Sequence, residues 1–184
     1  MQSVELVCHP WSQPDPVRRI QVSVRRSLHG LALAFCADGD LGRVRVPEPR
    51  APRSVTQLWA HTCFEAFVAI EDAAAYHEFN FSPSGEWAAY AFRSYRDGAL
   101  LEDETVAPVI VVHAAGGRLA LDADVPLERL SPRHSRAPLQ LGLSAVVEGT
   151  DGTLSYWALR HPAGKPDFHQ RDSRVLRLEP PGRE

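Results

Sequence analysis

The sequence predicts an all-β fold, an antiparallel β-sandwich of jelly-roll or immunoglobulin-like type with about ten to twelve strands and minimal helix. Three observations predict it. Apolar residues recur with period two rather than 3.6 along most of the chain. Glycine-bearing pairs interrupt the alternating runs where hairpin turns are needed. The helical candidates are short, at Pro126 to Leu130 and near Ser54 to Trp59.

The elements follow in order. "RIQVSVRRS" alternates around Ile20, Val22 and Val24, and "LHGLALAFCADG" around Leu31, Leu33 and Phe35. The Pro-rich piece from Pro47 to Pro52 reads as a loop crossing between sheets. "YHEFNFSPSGEWAAYAFRSYR" is a hairpin turning near Ser84-Gly85. "PVIVVHAAGGRLALDADVP" turns at Gly116-Gly117, where both central residues tolerate positive φ. "LQLGLSAVVEGTDGTLSYWALRH" turns at Asp151-Gly152, with Leu139, Leu141, Leu143, Ala145 and Val147 as its core row.

At 184 residues the chain fits one domain, 1–184. A formal charge of −3, with Lys165 the sole lysine, argues against nucleic acid as a partner, which would require clustered Lys and Arg. No apolar run approaches the length of a membrane span, and the N-terminus lacks the pattern of a signal peptide. Three cysteines without a CxxC read as free thiols of a reducing compartment. The expected location is the cytoplasm.

The stretch "HTCFEAFVAI" carries the first functional signal. Phe64, Ala66, Val68 and Ile70 form one apolar row of a strand, while His61, Cys63, Glu65 and Phe67 form the other. Neither row is an ordinary solvated face, so Glu65 must be paired, protonated or reserved for a ligand. Tyr76, Glu78 and Asn80 share one side of the next strand; Trp87, Ala89, Ala91, Arg93 and Tyr95 share one side of the one after. A Glu65–Arg93 pair is the expected match, through two parallel hydrogen bonds. Two readings follow: a structural ion pair among core aromatics, or a concave site where aromatic faces stack on a ligand and charged groups bind its hydroxyls.

"LWAHTCFEAFVAI", "YHEFNFSPSGEWAAYAFRSYR" and "LSYWALRHPAGKPDFHQ" resemble the bacterial DOMON-like proteins, remote relatives of family 9 carbohydrate-binding modules. The resemblance implies a sandwich in which two tryptophans flank a sugar and a glutamate binds it. Trp59, Glu65 and Trp157 match that order and approximate spacing, and Arg93 matches the modules' arginine. The resemblance and the strand faces together make Trp59, Glu65, Asn80, Trp87, Arg93 and Trp157 the ligand-binding candidates.

Other DOMON domains bind haem through Met and His. The only methionine here is Met1, which leaves His161 and His169 as the haem alternative. His61, Cys63 and Glu65 lack a closed metal-ligand spacing, and no metal or other cofactor is expected. The expected function is a non-catalytic module for a small ligand, a soluble carbohydrate or sugar derivative. The alternatives are a structural or protein-interaction domain without ligand, and a haem-binding domain.

Overall fold

The computed structural model describes residues 1–182. Its strands are β1 (Gln2–Cys8), β2 (Val17–Arg26), β3 (Leu31–Gly39), β4 (Cys63–Ile70), β5 (Tyr76–Phe81), β6 (Trp87–Ser94), β7 (Asp97–Leu100), β8 (Val109–Ala115), β9 (Arg118–Val125), β10 (Leu139–Glu148), β11 (Leu154–Ala158) and β12 (Leu176–Leu178). The two α-helices are short, α1 (Leu127–Leu130) and α2 (Pro132–Arg136), and the Ser54–Trp59 candidate shrinks to a 3₁₀ turn at Leu58–Ala60.

The strands form an antiparallel β-sandwich. One layer runs β1-β2-β3-β9-β8 and the other β7-β6-β5-β4-β10-β11, with β12 beside β10. Strand β1 joins the layers: Gln2 to Leu6 pair with β2, while Val7 and Cys8 pair with β11. Each long hairpin turns where glycine was expected to allow it. Gly116 and Gly117 have φ of 58° and 80°, Gly152 has 83° and Gly85 has 90°. The Pro47–Pro52 segment carries the chain from the first layer to the second.

The inward rows of the two layers make one core. Ile20, Val22, Phe35 and Leu121 meet Phe64, Ala66, Phe79, Leu141 and Leu143, all buried. Phe35 and Phe64 cross the interface with ring centroids 5.0 Å apart. This is the apolar row expected of β4, and burying it is the main force holding the layers together. Truncating Phe64 to alanine should therefore cost about 3–5 kcal/mol of unfolding free energy. Urea denaturation checks this, and a loss near zero would show that the ring is not part of the interlayer core.

Candidate functional site

Strand β4 is buried on both faces from Cys63 to Ala69, which explains why neither row of its sequence looks solvated. The outer row lies against a second, smaller set of apolar groups. Cys63 packs with Leu58 and Ala88 at one end; Phe67 and Ala69 pack with Tyr76, Phe92 and Phe168 at the other. Glu65 lies between them.

Register sets what surrounds it. Ser144 of β10, Glu65 of β4, Asn80 of β5 and Ala88 of β6 stand side by side across the sheet. The next row is Phe67, Glu78, Tyr90 and Leu100, and the row beyond holds Tyr76, Phe92 and Gly98. Two glutamates thus project from adjoining strands on one face, diagonal to one another. A cavity of about 620 Å³ opens above them. Trp59, Phe67, Tyr90, Phe92, Tyr156 and Phe168 provide its aromatic walls. Gly98 also lines it, and the reason is steric: a β-carbon there would collide with the Ala91 carbonyl oxygen and lie 2.6 Å from the Phe92 ring.

The polar partners of the glutamates are neutral. Ser144 donates to Glu65 Oε2 at 3.1 Å, and the Asn80 amide donates to Glu78 Oε1 at 2.7 Å. Burial pushes the Glu65 carboxyl well above the carboxylate range, and the neighbouring Glu78 adds to this while Ser144 opposes it. Burial likewise raises Glu78 to about 7, held back by the Asn80 hydrogen bond and by Arg96.

A loop and a turn close the rim. Arg96, at φ 55° in the β6–β7 turn, donates to Asp167 Oδ1 at 2.9 Å, and the Tyr95 hydroxyl donates to Asp167 Oδ2 at 2.5 Å. Asp167 in turn accepts from the backbone N–H of His169. The Arg96 backbone N–H donates to the Tyr76 hydroxyl, which also hydrogen-bonds His169 Nδ1 at 2.9 Å. The other ring nitrogen of His169, Nε2, faces Glu78 Oε2 at 3.6 Å. Burial lowers His169 to about 4, with Arg96 and Arg174 adding to the effect against Asp167, so the ring is neutral near pH 7.

The residues expected from sequence divide into two groups. Trp59 and Glu65 line the cavity, and Asn80 lies beside Glu65 and holds Glu78. The expected Glu65–Arg93 pair does not form. Arg93 is exposed and bonds Asp97 at 3.0 Å. Trp87 and Trp157 are buried in the interlayer core, and the Trp157 indole donates to Ser155 at 3.0 Å. The reason is strand phase. Phe81 pairs with Trp87 and Ala145 with Trp157, which turns both indoles inward and brings Tyr90, Phe92 and Tyr156 to the cavity face. Those aromatics were missed because alternation alone does not say which row of a strand faces inward until pairing fixes it.

His161 and His169 are not brought together for a shared ligand. His161 donates to the Val7 carbonyl and packs on His9 and Phe168, whereas His169 lies against Phe67 and Phe92. His61 pairs with Glu148 rather than with Glu65. Among the described residues no group of three or more His, Cys, Asp or Glu side chains could hold a metal ion. No helix there is long and apolar enough to cross a membrane.

No protein-family model matches the chain, and no curated protein matches it in sequence. Solved structures with similar folds do exist. A "putative carbohydrate-binding protein" from Bacteroides uniformis is 12% identical with a TM-score of 0.67, covering 95% of this chain and 84% of that one. A family 9 carbohydrate-binding module from Caldicellulosiruptor kristjanssonii in complex with cellotriose is 10% identical with a TM-score of 0.54, covering 90% and 76%. A family 9 module from that organism in complex with glucose gives 10% and 0.55, covering 95% and 85%. At such identities the likeness is one of fold.

Protonation of the buried acid makes stability depend on pH. Glu78 titrates near 7 when folded, against an ordinary 4.5, so in that window the folded state holds a proton that the unfolded chain has shed. The stabilisation is complete below the lower value and is lost as pH rises through the upper one. His169 works the opposite way between about 4 and 6.5, where the unfolded chain binds the extra proton and stability climbs with pH. Glu78→Gln removes Glu78's share of the falling slope and relieves its neighbour Glu65, which keeps the share that burial gives it. Relative to the parent, the variant should gain stability from pH 5 to pH 8, by at most roughly 3 kcal/mol. Urea unfolding at the two pH values measures this, and an unchanged difference would mean that Glu78 titrates as an ordinary exposed acid.

Proposed function

We propose that this chain is a non-catalytic binding module for a small soluble carbohydrate or sugar derivative. The observation that carries the reading is the cavity in which Trp59, Tyr90, Phe92 and Tyr156 share one space with Glu65 and Glu78. Sugars present both surfaces such a site can use. Their C–H faces lose water on contact with aromatic rings, and their hydroxyls donate to carboxyl oxygens. The volume, about 620 Å³, falls within the usual range for small-molecule sites. The likeness in fold to modules in complex with glucose and cellotriose supports the same reading.

The roles divide by burial. Trp59 is 52% exposed at the mouth of the cavity and serves as the stacking lid. Tyr90 and Tyr156 form the walls beneath it. Glu65 and Glu78 accept hydroxyls on the floor, with Ser144 and Asn80 holding them in place. The Arg96–Asp167 pair fixes the loop that carries Phe168 and His169.

Thermal unfolding with glucose and with cellotriose tests the reading directly. A ligand at about a hundred times its dissociation constant should stabilise the fold by roughly 2.7 kcal/mol. No shift with either sugar, or with other mono- and oligosaccharides, would overturn it. Trp59→Ala separates binding from folding, because an exposed ring contributes little to the core. That variant should keep the parent melting temperature and lose about tenfold in affinity by calorimetric titration. Trp157→Phe should do the reverse, lowering stability while leaving affinity nearly unchanged.

A further inference from the structure

We propose that the cavity selects a ligand bearing a protonated amine, an amino sugar with a free ammonium group seated between Glu65 and Glu78; this deepens the sugar-binding reading and rests on it. The fold gives these two buried acids no cationic partner. Glu65 is 2% exposed and Glu78 is 5% exposed, yet both line the cavity. Among the described residues no arginine or lysine bonds either carboxyl. Ser144 occupies Glu65 Oε2, while Glu65 Oε1 has no hydrogen-bond partner among the described residues.

The cations that could have served are committed elsewhere. Arg96 is bound to Asp167 and also donates toward the Tyr95 hydroxyl. Arg174 lies over the Tyr76 ring at 4.5 Å and donates to the His169 carbonyl. His169 is hydrogen-bonded to Tyr76 through Nδ1 and comes no nearer to Glu78 than 3.6 Å. An incoming neutral hydroxyl would donate to these carboxyls but would bring no countercharge. An ammonium does both: its three N–H donors can bond the free oxygens of two acids, and its charge favours their ionised form over the protonated form that burial otherwise holds, so binding displaces a proton from the floor.

The walls agree with this choice. Aromatic faces attract organic cations through their quadrupoles, and Trp59, Tyr90, Phe92, Tyr156 and Phe168 enclose the space above the acids. A calcium or magnesium ion is a poor occupant, because it requires six or more oxygen ligands and these walls supply carbon, and among the described residues no cluster of three His, Cys, Asp or Glu side chains is present for zinc. A ligand with an apolar ring face on one side and an ammonium on the other fits both halves of the cavity. Among sugars, that describes a hexosamine with a free amine.

Calorimetric titration of the intact protein with glucosamine, glucose, N-acetylglucosamine and cyclohexylamine, slightly below neutral pH, tests the assignment. Glucosamine should bind roughly tenfold or more tightly than glucose, and acetylation of its amine should abolish the gain. The preference should fall severalfold in Glu78→Gln and in Glu65→Gln, and the wild-type ligand series stands by itself if either variant fails to fold. Equal binding of glucose and glucosamine would overturn the amine assignment and leave the sugar reading intact. Binding of cyclohexylamine with none of the sugars would overturn the sugar reading while keeping the acid–ammonium pairing. Binding of none of the four would overturn both.

Discussion

Desolvation of two carboxyls on a single sheet face is the constraint on which the rest of this structure depends. Strand β4 is covered on its inner side by the interlayer core and on its outer side by aromatics, so Glu65 has little bulk water to lean on. Moving an isolated carboxylate into such a setting is costly, and the fold meets the cost with neutral donors, Ser144 and Asn80, rather than with cations. The acids respond by holding their protons to unusually high pH. A fold selected for stability alone would place Val or Thr at these two positions. Keeping acids there sacrifices stability for a polar floor, a pattern common at functional sites.

The surrounding parts hold that floor open and shaped. Two segments distant in sequence, the β6–β7 turn and the 166–169 loop, are tied together by Asp167, which accepts from Arg96, Tyr95 and the His169 backbone. Tyr76 links the same two segments through its hydroxyl and stacks on Phe92 at 4.7 Å. The loop "HPAGKPDFHQ" thereby brings Phe168 and His169 over the outer face of β4.

Much of the fold could be read from alternation and turn chemistry, because each is a local property. The β4 core row, the hairpin at Gly116-Gly117 and the near absence of helix each follow from steric or periodic rules acting over a few residues. The site was half legible. Glu65 stood out because no exposed strand face needs a carboxylate between Cys63 and Phe67. Glu78 shares a strand face with Asn80 and was visible as such, but nothing local marked it as the second buried acid. Arg93 looked like the partner of Glu65, yet a register shift between Phe92 and Ser94 marks where the strand begins to turn, and Arg93 points to solvent beside Asp97.

By itself, then, the amino-acid order determined which rows of residues must be buried, where the chain reverses, and that one glutamate sits where no solvated face could explain it. Only the tertiary structure decided which rows share a side. Period two leaves the phase of each strand free until pairing sets it, and a shift of one residue exchanges inner and outer faces. That is why Trp87 and Trp157 went to the core while Tyr90, Phe92 and Tyr156 came to the cavity. It is also why the partner of Glu65 across the floor is another acid on the neighbouring strand, a juxtaposition set by long-range pairing and absent from any local stretch of the chain.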